Sequence, residues 1–118
     1  MLSKISLLGA IIFVAFLFWG GNQTVADGLF KPPFDKLAHF AAFGVLGLLL
    51  WLGFRGRWPL LIIILVGCIG ALDEWRQAFL PGRAVSFGDF AMDMAAVVVV
   101  VGVMSALAKF LRARRRVK

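Results

Sequence analysis

Long apolar runs fill most of this chain of 118 residues and leave little choice of fold. The runs cover residues 5–20, 37–54, 59–80 and 90–111. About 18 or more apolar residues in helical form are enough to cross a bilayer core roughly 30 Å thick. The sequence therefore predicts an all-α integral membrane bundle of four transmembrane helices, built from residues 1–118 as a single domain.

The first run is the shortest, and a cleaved signal peptide is the alternative to a first helix. Lys4 supplies a basic start, but Thr24, Val25 and Ala26 form a poor small-residue cleavage site. We expect the run to stay in the protein as a helix. The arrangement of the other three runs is the same in either case.

The basic residues predict the orientation of the helices. Nine of the 13 lysines and arginines flank one set of helix ends without an acid among them, and all six acids lie on the other side. Cytoplasmic segments carry the excess of Lys and Arg, so both termini are expected inside the cell (N-in/C-in), with a short cytoplasmic turn at residues 55–57. The nine residues are Lys4, Arg55, Arg57, Lys109, Arg112, Arg114, Arg115, Arg116 and Lys118.

The basic excess gives a net charge of +7, but its position argues against nucleic acid as a partner. Residues 112–118 (RARRRVK) form a predicted cytoplasmic tail beside the membrane, with no soluble domain that would present them to bases. Such clusters attract anionic lipid headgroups, by about 1 kcal/mol for each basic residue near the surface. Membrane lipids, including anionic lipids at this tail, are therefore the expected partners.

Polar residues interrupt the apolar runs mainly at their predicted outer ends. The second and fourth helices would start outside and the third would end there, so three helices bring polar residues to one level of the bundle. Residues four apart also lie on the same face of a helix. The residues are Asp35, Lys36 and His39 on the second helix; Asp73, Glu74, Arg76 and Gln77 on the third; Arg83 in the following loop; and Asp89 and Asp93 on the fourth.

The depth of Glu74 makes these residues a candidate functional site. Glu74 precedes the end of the third run by six residues, or about 9 Å at the helical rise per residue. An acid at the centre of a membrane helix costs ~2.5–3.5 kcal/mol, and somewhat less near the edge. Ionisable residues within a membrane are therefore expected to face the bundle interior and to serve a function.

Simpler roles compete for single members of this set. Asp35 and Asp89 suit the caps of two helices that start outside. Ser86 and Asp89 have the spacing of a capping box, with Asp in place of the usual Glu. Asp73 and Arg76 would form an ordinary exposed pair three residues apart. The coincidence of three helices favours a shared polar site over these separate roles.

The segments DKLAHFAAFGVLGLLL and DEWRQAFLPGRAVSFGDFAMD resemble the VanZ-like family of small bacterial membrane proteins. The shared pattern is D-K-x-x-H-F, then E-x-x-Q-x-F-x-P-x-R, then D with a second polar residue four positions on, and it covers residues 35–101. Asp93 departs from the family, where Asn is frequent, and Ala95 and Ala96 stand where a Gly often follows. The matching positions are Asp35, Lys36, His39, Phe40, Glu74, Gln77, Pro81, Arg83 and Asp89.

The resemblance implies a multi-pass protein of the bacterial cytoplasmic (inner) membrane. The namesake of the family is associated with teicoplanin resistance, and the wider family is linked loosely to the cell envelope. The resemblance implies no particular reaction, and it does not imply antibiotic resistance for this chain.

These features favour a site for an amphiphile at the outer leaflet: a lipid headgroup, a polyprenyl-linked sugar or a lipoglycopeptide. Lys36 and Arg83 would hold an anionic headgroup and Gln77 would orient it. Asp35 and Asp89 complete the predicted ligand-binding set.

Whether the site is catalytic stays open on the sequence. The candidate acid/base residues are Glu74, Asp73, His39 and Asp93, but no nucleophile motif accompanies them. Possible hard ligands for Mg²⁺ or Ca²⁺ are Asp73, Glu74, Asp89, Asp93 and His39. Because no ligand-spacing signature is present and the single cysteine is Cys68, no metal or other cofactor is assigned.

Two other functions remain as alternatives. A non-catalytic envelope assembly or stability protein would use the polar cluster to lock the bundle. A small proton-coupled transporter would work as a homo-oligomer, but transporter sites usually lie near the membrane midplane, and this cluster is shallower.

Overall fold

Four α-helices account for most of the structure, a computed structural model that describes residues 1–20, 34–81 and 85–117, apart from the side chain of Asp35. Helix α1 spans Leu2–Gly20, α2 Phe34–Gly53, α3 Pro59–Gln77 and α4 Phe87–Val117. The described residues contain no β-strand. The predicted all-α class is confirmed.

Within the described residues, three helices are long and apolar enough to cross a membrane: α1 over Leu2–Gly20, α2 over Lys36–Gly53, and α4 over Phe87–Val117. Helix α3 is apolar from Pro59 to Leu72 and polar over its last five residues, DEWRQ. Large apolar side chains on the outer faces of the helices are exposed, as lipid-facing side chains are. They include Ile11, Phe16, Ile64, Val99 and Val103. The chain is a helical membrane bundle.

The helix bounds differ from the predicted runs mainly in α3 and α4. Helix α3 ends at Gln77. Helix α4 begins at Phe87, because the preceding residue, Ser86, caps its first turn. Helix α4 continues to Val117, so residues 112–117 of the predicted tail are helical. No Gly or Pro interrupts LRARRRV, and arginines in a last turn interact favourably with the helix dipole. A helix of 31 residues is about 46 Å long, and its basic end extends beyond a ~30 Å core.

A tight turn joins α2 to α3 where residues 55–57 were predicted to form one. Arg55 and Gly56 adopt left-handed backbone conformations, with φ of 58° and 69°. Trp58 is also left-handed, with φ of 55°, and Pro59 follows it as the first residue of α3. Proline suits this position because a backbone N–H in the first turn of a helix has no intrahelical partner. The N–H that proline lacks is therefore not missed.

Helices α2 and α4 run parallel at the centre of the bundle. Two side-chain hydrogen bonds join these helices, and each links residues 54 apart in sequence. An equal separation at both bonds means that the two helices run in the same direction in a fixed register. One links His39 to Asp93, and the other runs from Trp51 Nε1 to Ser105 Oγ at 3.2 Å. The apolar core lies between these bonds and consists of Ala10, Phe43, Leu46, Ile62, Val66, Ala96, Val97 and Val101.

The other two helices pack on this pair so that polar ends meet. Helix α3 is antiparallel to α4, with Gly67 opposite Met94 and Gly70 opposite Asp93. Helix α1 is antiparallel to α2, with Gly9 opposite Leu49. The N-terminal ends of α2 and α4 therefore lie at the same end of the bundle as the C-terminal end of α3.

Replacement of Gly47 by leucine is expected to destabilise the bundle. A Cβ at this position would lie 3.1 Å from Val97 Cγ2 and 3.6 Å from Val97 Cα, so α2 and α4 are in tight contact here. Overpacking of a core costs about 1–3 kcal/mol, so the thermal midpoint in detergent should fall. Gly102→Leu on α4 is the matched control, because a Cβ there meets no atom within 4 Å. Equal midpoints for the two variants would contradict the parallel packing described here.

Candidate functional site

A buried pair of polar residues, His39 and Asp93, lies at the centre of the polar end. Asp93 is 0% exposed, and its Oδ1 lies 2.8 Å from His39 Nδ1. With Asp93 ionised, this nitrogen donates and the other ring nitrogen, Nε2, is left for a second partner. The ring of Phe43, one turn further along α2, is stacked on the imidazole with centroids 6.1 Å apart. The pair thus has a fixed orientation within the bundle.

Gly70 makes room for the Asp93 carboxylate. A Cβ at residue 70 would lie 3.1 Å from Asp93 Oδ2, closer than ordinary van der Waals contact. Helix α3 therefore approaches α4 closely at this level only because residue 70 has no side chain.

Asp89 lies one turn before Asp93 and faces the other side of the imidazole. Its Oδ2 is 3.9 Å from His39 Nε2, and its Oδ1 is 3.6 Å from Lys36 Nζ. Both distances exceed a hydrogen bond but suit charge attraction. His39 is therefore held between two carboxylates of α4, and Lys36 lies at the more exposed edge.

Glu74 connects α3 to the start of α4 by capping that helix across the bundle. Its Oε2 accepts a hydrogen bond from the backbone N–H of Ser86 at 3.0 Å, while Ser86 Oγ accepts one from the N–H of Asp89 at 3.3 Å. The predicted capping box is thus half present. In a complete box the acid at the third helical position would bond the Ser86 N–H, but Glu74 takes that role. Because of this, the Asp89 carboxylate faces Lys36 and His39 instead.

Asp73 belongs to a separate network on α3. Its two oxygens accept hydrogen bonds from Arg76 Nη2 at 2.7 Å and from Gln77 Nε2 at 2.9 Å. The Arg76 guanidinium also lies over the ring of Phe18, 5.2 Å from its centroid, which brings the end of α1 to the site. The expected pair of Asp73 and Arg76 exists, but both side chains are largely buried instead of exposed.

The site contains several carboxylate oxygens with no hydrogen-bond partner. They are Glu74 Oε1, Asp89 Oδ1 and Asp93 Oδ2, and all three are shielded from solvent. Burying an acceptor without a partner costs about 1–3 kcal/mol, and more when the group is charged. Among the site residues whose side chains are described, four carboxylates face Lys36, Arg76 and the imidazole of His39. The arrangement therefore favours a partner that brings hydrogen-bond donors or positive charge.

The structure brings together most of the residues that the sequence singled out. Seven of the nine residues predicted for acid/base or ligand-binding roles are in place in two adjoining networks, one centred on His39 and one on Asp73. Of the other two, Asp35 lies in the first turn of α2 with its side chain outside the described residues, and Arg83 lies outside them entirely. The seven are Lys36, His39, Asp73, Glu74, Gln77, Asp89 and Asp93.

Sequence reasoning missed the residues that shape the site without carrying charge. Gly70 lies one turn before Glu74, and Phe43 lies one turn after His39, so helical spacing from known site residues would have found both. Phe18 gave no such signal, because α1 carries no charge after Lys4. Ser86 was singled out for its side chain, whereas its backbone N–H makes the bond to Glu74.

Fold and site together define a small helical membrane protein with a buried acid–histidine cluster at one end of the bundle. The sequence model of the VanZ/LLP1 family matches residues 10–109, which is most of the chain. This chain belongs to the VanZ-like family. No curated protein matches it, and no solved structure matches it.

A double-mutant cycle should show that the pair of His39 and Asp93 supports the bundle. His39→Leu or Asp93→Leu alone leaves one buried polar partner, which costs about 3–5 kcal/mol in unfolding free energy. The double variant should lose less than the sum, because apolar replacement of both partners is often neutral. Unfolding in mixed detergent micelles would measure these energies.

The matched control is the same cycle on Asp73 and Arg76, three residues apart on one helix. Both members lie on α3, and both keep more solvent exposure than Asp93, so their coupling energy should be the smaller of the two. A coupling energy for His39 and Asp93 no larger than that of the control pair would contradict their role in joining α2 to α4.

Proposed function

We propose that this VanZ-like membrane protein binds the headgroup of an amphiphilic cell-envelope molecule at the extracytoplasmic face of the bacterial cytoplasmic membrane. The ligand class is a lipid headgroup, a polyprenyl-linked sugar or a lipoglycopeptide. The proposal includes four membrane-crossing helices with both termini inside. Once the ligand is identified, an activity assay would show whether the protein also processes it.

The distribution of charge supports this orientation. The basic end of α4 and the turn at Arg55 and Arg57 lie at one end of the bundle, and the acid–histidine cluster lies at the other. Positively charged ends stay in the cytoplasm. In this orientation the basic residues of α4, Arg112 and Arg114 to Arg116, would contact anionic lipids of the inner leaflet.

The observation that carries the proposal is that, among the described residues, one oxygen each of Glu74, Asp89 and Asp93 accepts no hydrogen bond. The oxygen of Asp89 has only the charge of Lys36 nearby, at 3.6 Å. In the proposed orientation these oxygens lie at the level of the lipid headgroups. Because they are shielded from solvent, a headgroup would reach them only after a local movement of side chains. Hydroxyl and amino groups of a sugar or an amine-bearing headgroup would donate to these oxygens. The described geometry therefore favours a headgroup rich in donors over a plain phosphate.

A second candidate function is favoured by the network around Asp73. Both of its oxygens are bonded within α3, and the Arg76 that it binds packs on Phe18 of α1. Those contacts join helices and use no ligand. A protein whose polar cluster only locks the bundle, and which acts through partner proteins, would have the same network.

Native mass spectrometry of the lipids retained by the purified protein tests the proposal. The wild type is expected to retain one headgroup class above its share of the membrane. Glu74→Gln keeps an oxygen for the Ser86 N–H but removes the charge, so the fold should persist. Loss of a hydrogen bond to a charged group is worth about 1.5–3 kcal/mol, so retention of that class should fall by at least about tenfold.

Two controls separate the site from general effects. Ser105→Ala removes the bond to Trp51 at the opposite end of the bundle and should leave the retained class unchanged. Replacement of Arg114, Arg115 and Arg116 by glutamine should lower the total of anionic lipid but not the selected class. Unselective retention that is the same in wild type and Glu74→Gln would reject the headgroup site and favour the bundle-locking role.

A further inference from the structure

We propose that His39, Glu74 and Asp89 form a binding site for a divalent transition-metal ion of the Zn²⁺ or Mn²⁺ type. One ligand atom from each of these residues lies within 4.8 Å of the other two. The three residues come from α2, α3 and α4, so an ion here would join all three helices. The inference goes beyond the proposed function and does not depend on it, since the ion would bind with or without an amphiphile.

The orientation of His39 is the one that a metal-binding histidine needs. Its Nδ1 is bonded to Asp93 Oδ1 at 2.8 Å, and its Nε2 faces Asp89 Oδ2 at 3.9 Å. Histidines that bind a metal through one nitrogen commonly donate the other N–H to a carboxylate, which fixes the tautomer and the ring. Zinc ligands lie about 2.0–2.2 Å from the ion, so two of them are somewhat closer to each other than His39 Nε2 and Asp89 Oδ2 are here. Only small side-chain movements would therefore be needed to bind the ion.

Glu74 supplies an independent indication that the cluster has a missing partner. The residue is 6% exposed, and its Oε1 accepts no hydrogen bond while Oε2 is used by the Ser86 N–H. Asp89 Oδ1 is likewise shielded and without a hydrogen bond. A cation bound to these oxygens would offset the cost of burying them, which helix packing alone leaves in place.

The donor set indicates the class of metal. An imidazole nitrogen suits Zn²⁺ and related ions, whereas Mg²⁺ and Ca²⁺ prefer oxygen ligands throughout. Two carboxylates beside the imidazole are also compatible with Mn²⁺. Three protein ligands leave a coordination position open, as catalytic zinc sites do. A phosphate-bearing headgroup could occupy that position, although the carboxylates alone would repel it.

Metal binding by the full-length protein in detergent tests the inference, with any affinity tag removed and Cys68 replaced by serine to exclude a thiol ligand. Equilibrium dialysis against Zn²⁺ followed by elemental analysis should give about one ion per chain, with Mn²⁺ weaker and Mg²⁺ weaker still. His39→Ala and Asp89→Asn should abolish stoichiometric binding. Asp93→Asn, which changes only the residue behind the imidazole, should weaken the affinity about 10–100-fold.

Asp73→Asn is the matched control, because Asp73 is a carboxylate of the same end that belongs to the Arg76 network. It should keep the full affinity. If His39→Ala fails to fold, Glu74→Gln and Asp89→Asn test the same site, since both keep the shape of the side chain. Absence of stoichiometric Zn²⁺, or the same Zn²⁺ content in wild type and in folded Asp89→Asn, would overturn the inference. This experiment measures metal content alone, so the metal site can be rejected while the headgroup site is supported. The lipid measurement can likewise reject the headgroup site while the metal site is supported.

Discussion

The bond between His39 and Asp93 joins the two helices around which the bundle is built. It fixes the parallel register of α2 and α4 at the polar end, as the bond from Trp51 to Ser105 does nearer the other end. Burying the Asp93 carboxylate in an apolar bundle is unfavourable unless a partner is held in the right geometry. Several features of the structure meet that need: the stacked ring of Phe43, the gap left by Gly70 and the second carboxylate of Asp89. Substitutions of Phe43, Gly70 or Asp89 should therefore change the stability of the bundle by disturbing the bond between His39 and Asp93.

The capping of α4 by Glu74 has a consequence for the charge of the site. A helix that capped itself would use the Asp89 side chain on its own N-terminus. Here the acid comes from α3, which leaves Asp89 beside His39 and Lys36. Helix packing thus concentrates carboxylates at one place where, among the described residues, some of their oxygens accept no hydrogen bond. Such an arrangement is unfavourable for a bundle that needs only stability, and it is the reason that both proposals invoke a partner carrying positive charge or hydrogen-bond donors.

Much of this architecture could be predicted from the sequence, and the limits have physical causes. The apolar runs predicted the helical membrane bundle, and the alternation of direction placed His39, Glu74 and Asp93 at one level. The sequence offered the pair of Asp73 and Arg76 as a simpler role, and the pair is present. The sequence did not predict that the neighbouring acid, Glu74, would bond Ser86, because only the packing of α3 against α4 sets that contact. The helical extension of α4 through its arginines was also missed, since a charged tail beside a membrane is compatible with a helix or with an irregular chain.

The proposed headgroup site requires the acid–histidine cluster to lie at the extracytoplasmic face. Single cysteines placed in a Cys68→Ser background, at Val85 beside the cluster or at Arg57 in the α2–α3 turn, would test this with a membrane-impermeant maleimide on intact cells. Both residues are exposed. The account predicts that the cysteine at Val85 reacts in intact cells and that the one at Arg57 reacts only after the membrane is permeabilised. The opposite pattern would place the cluster in the cytoplasm and contradict the proposed headgroup site.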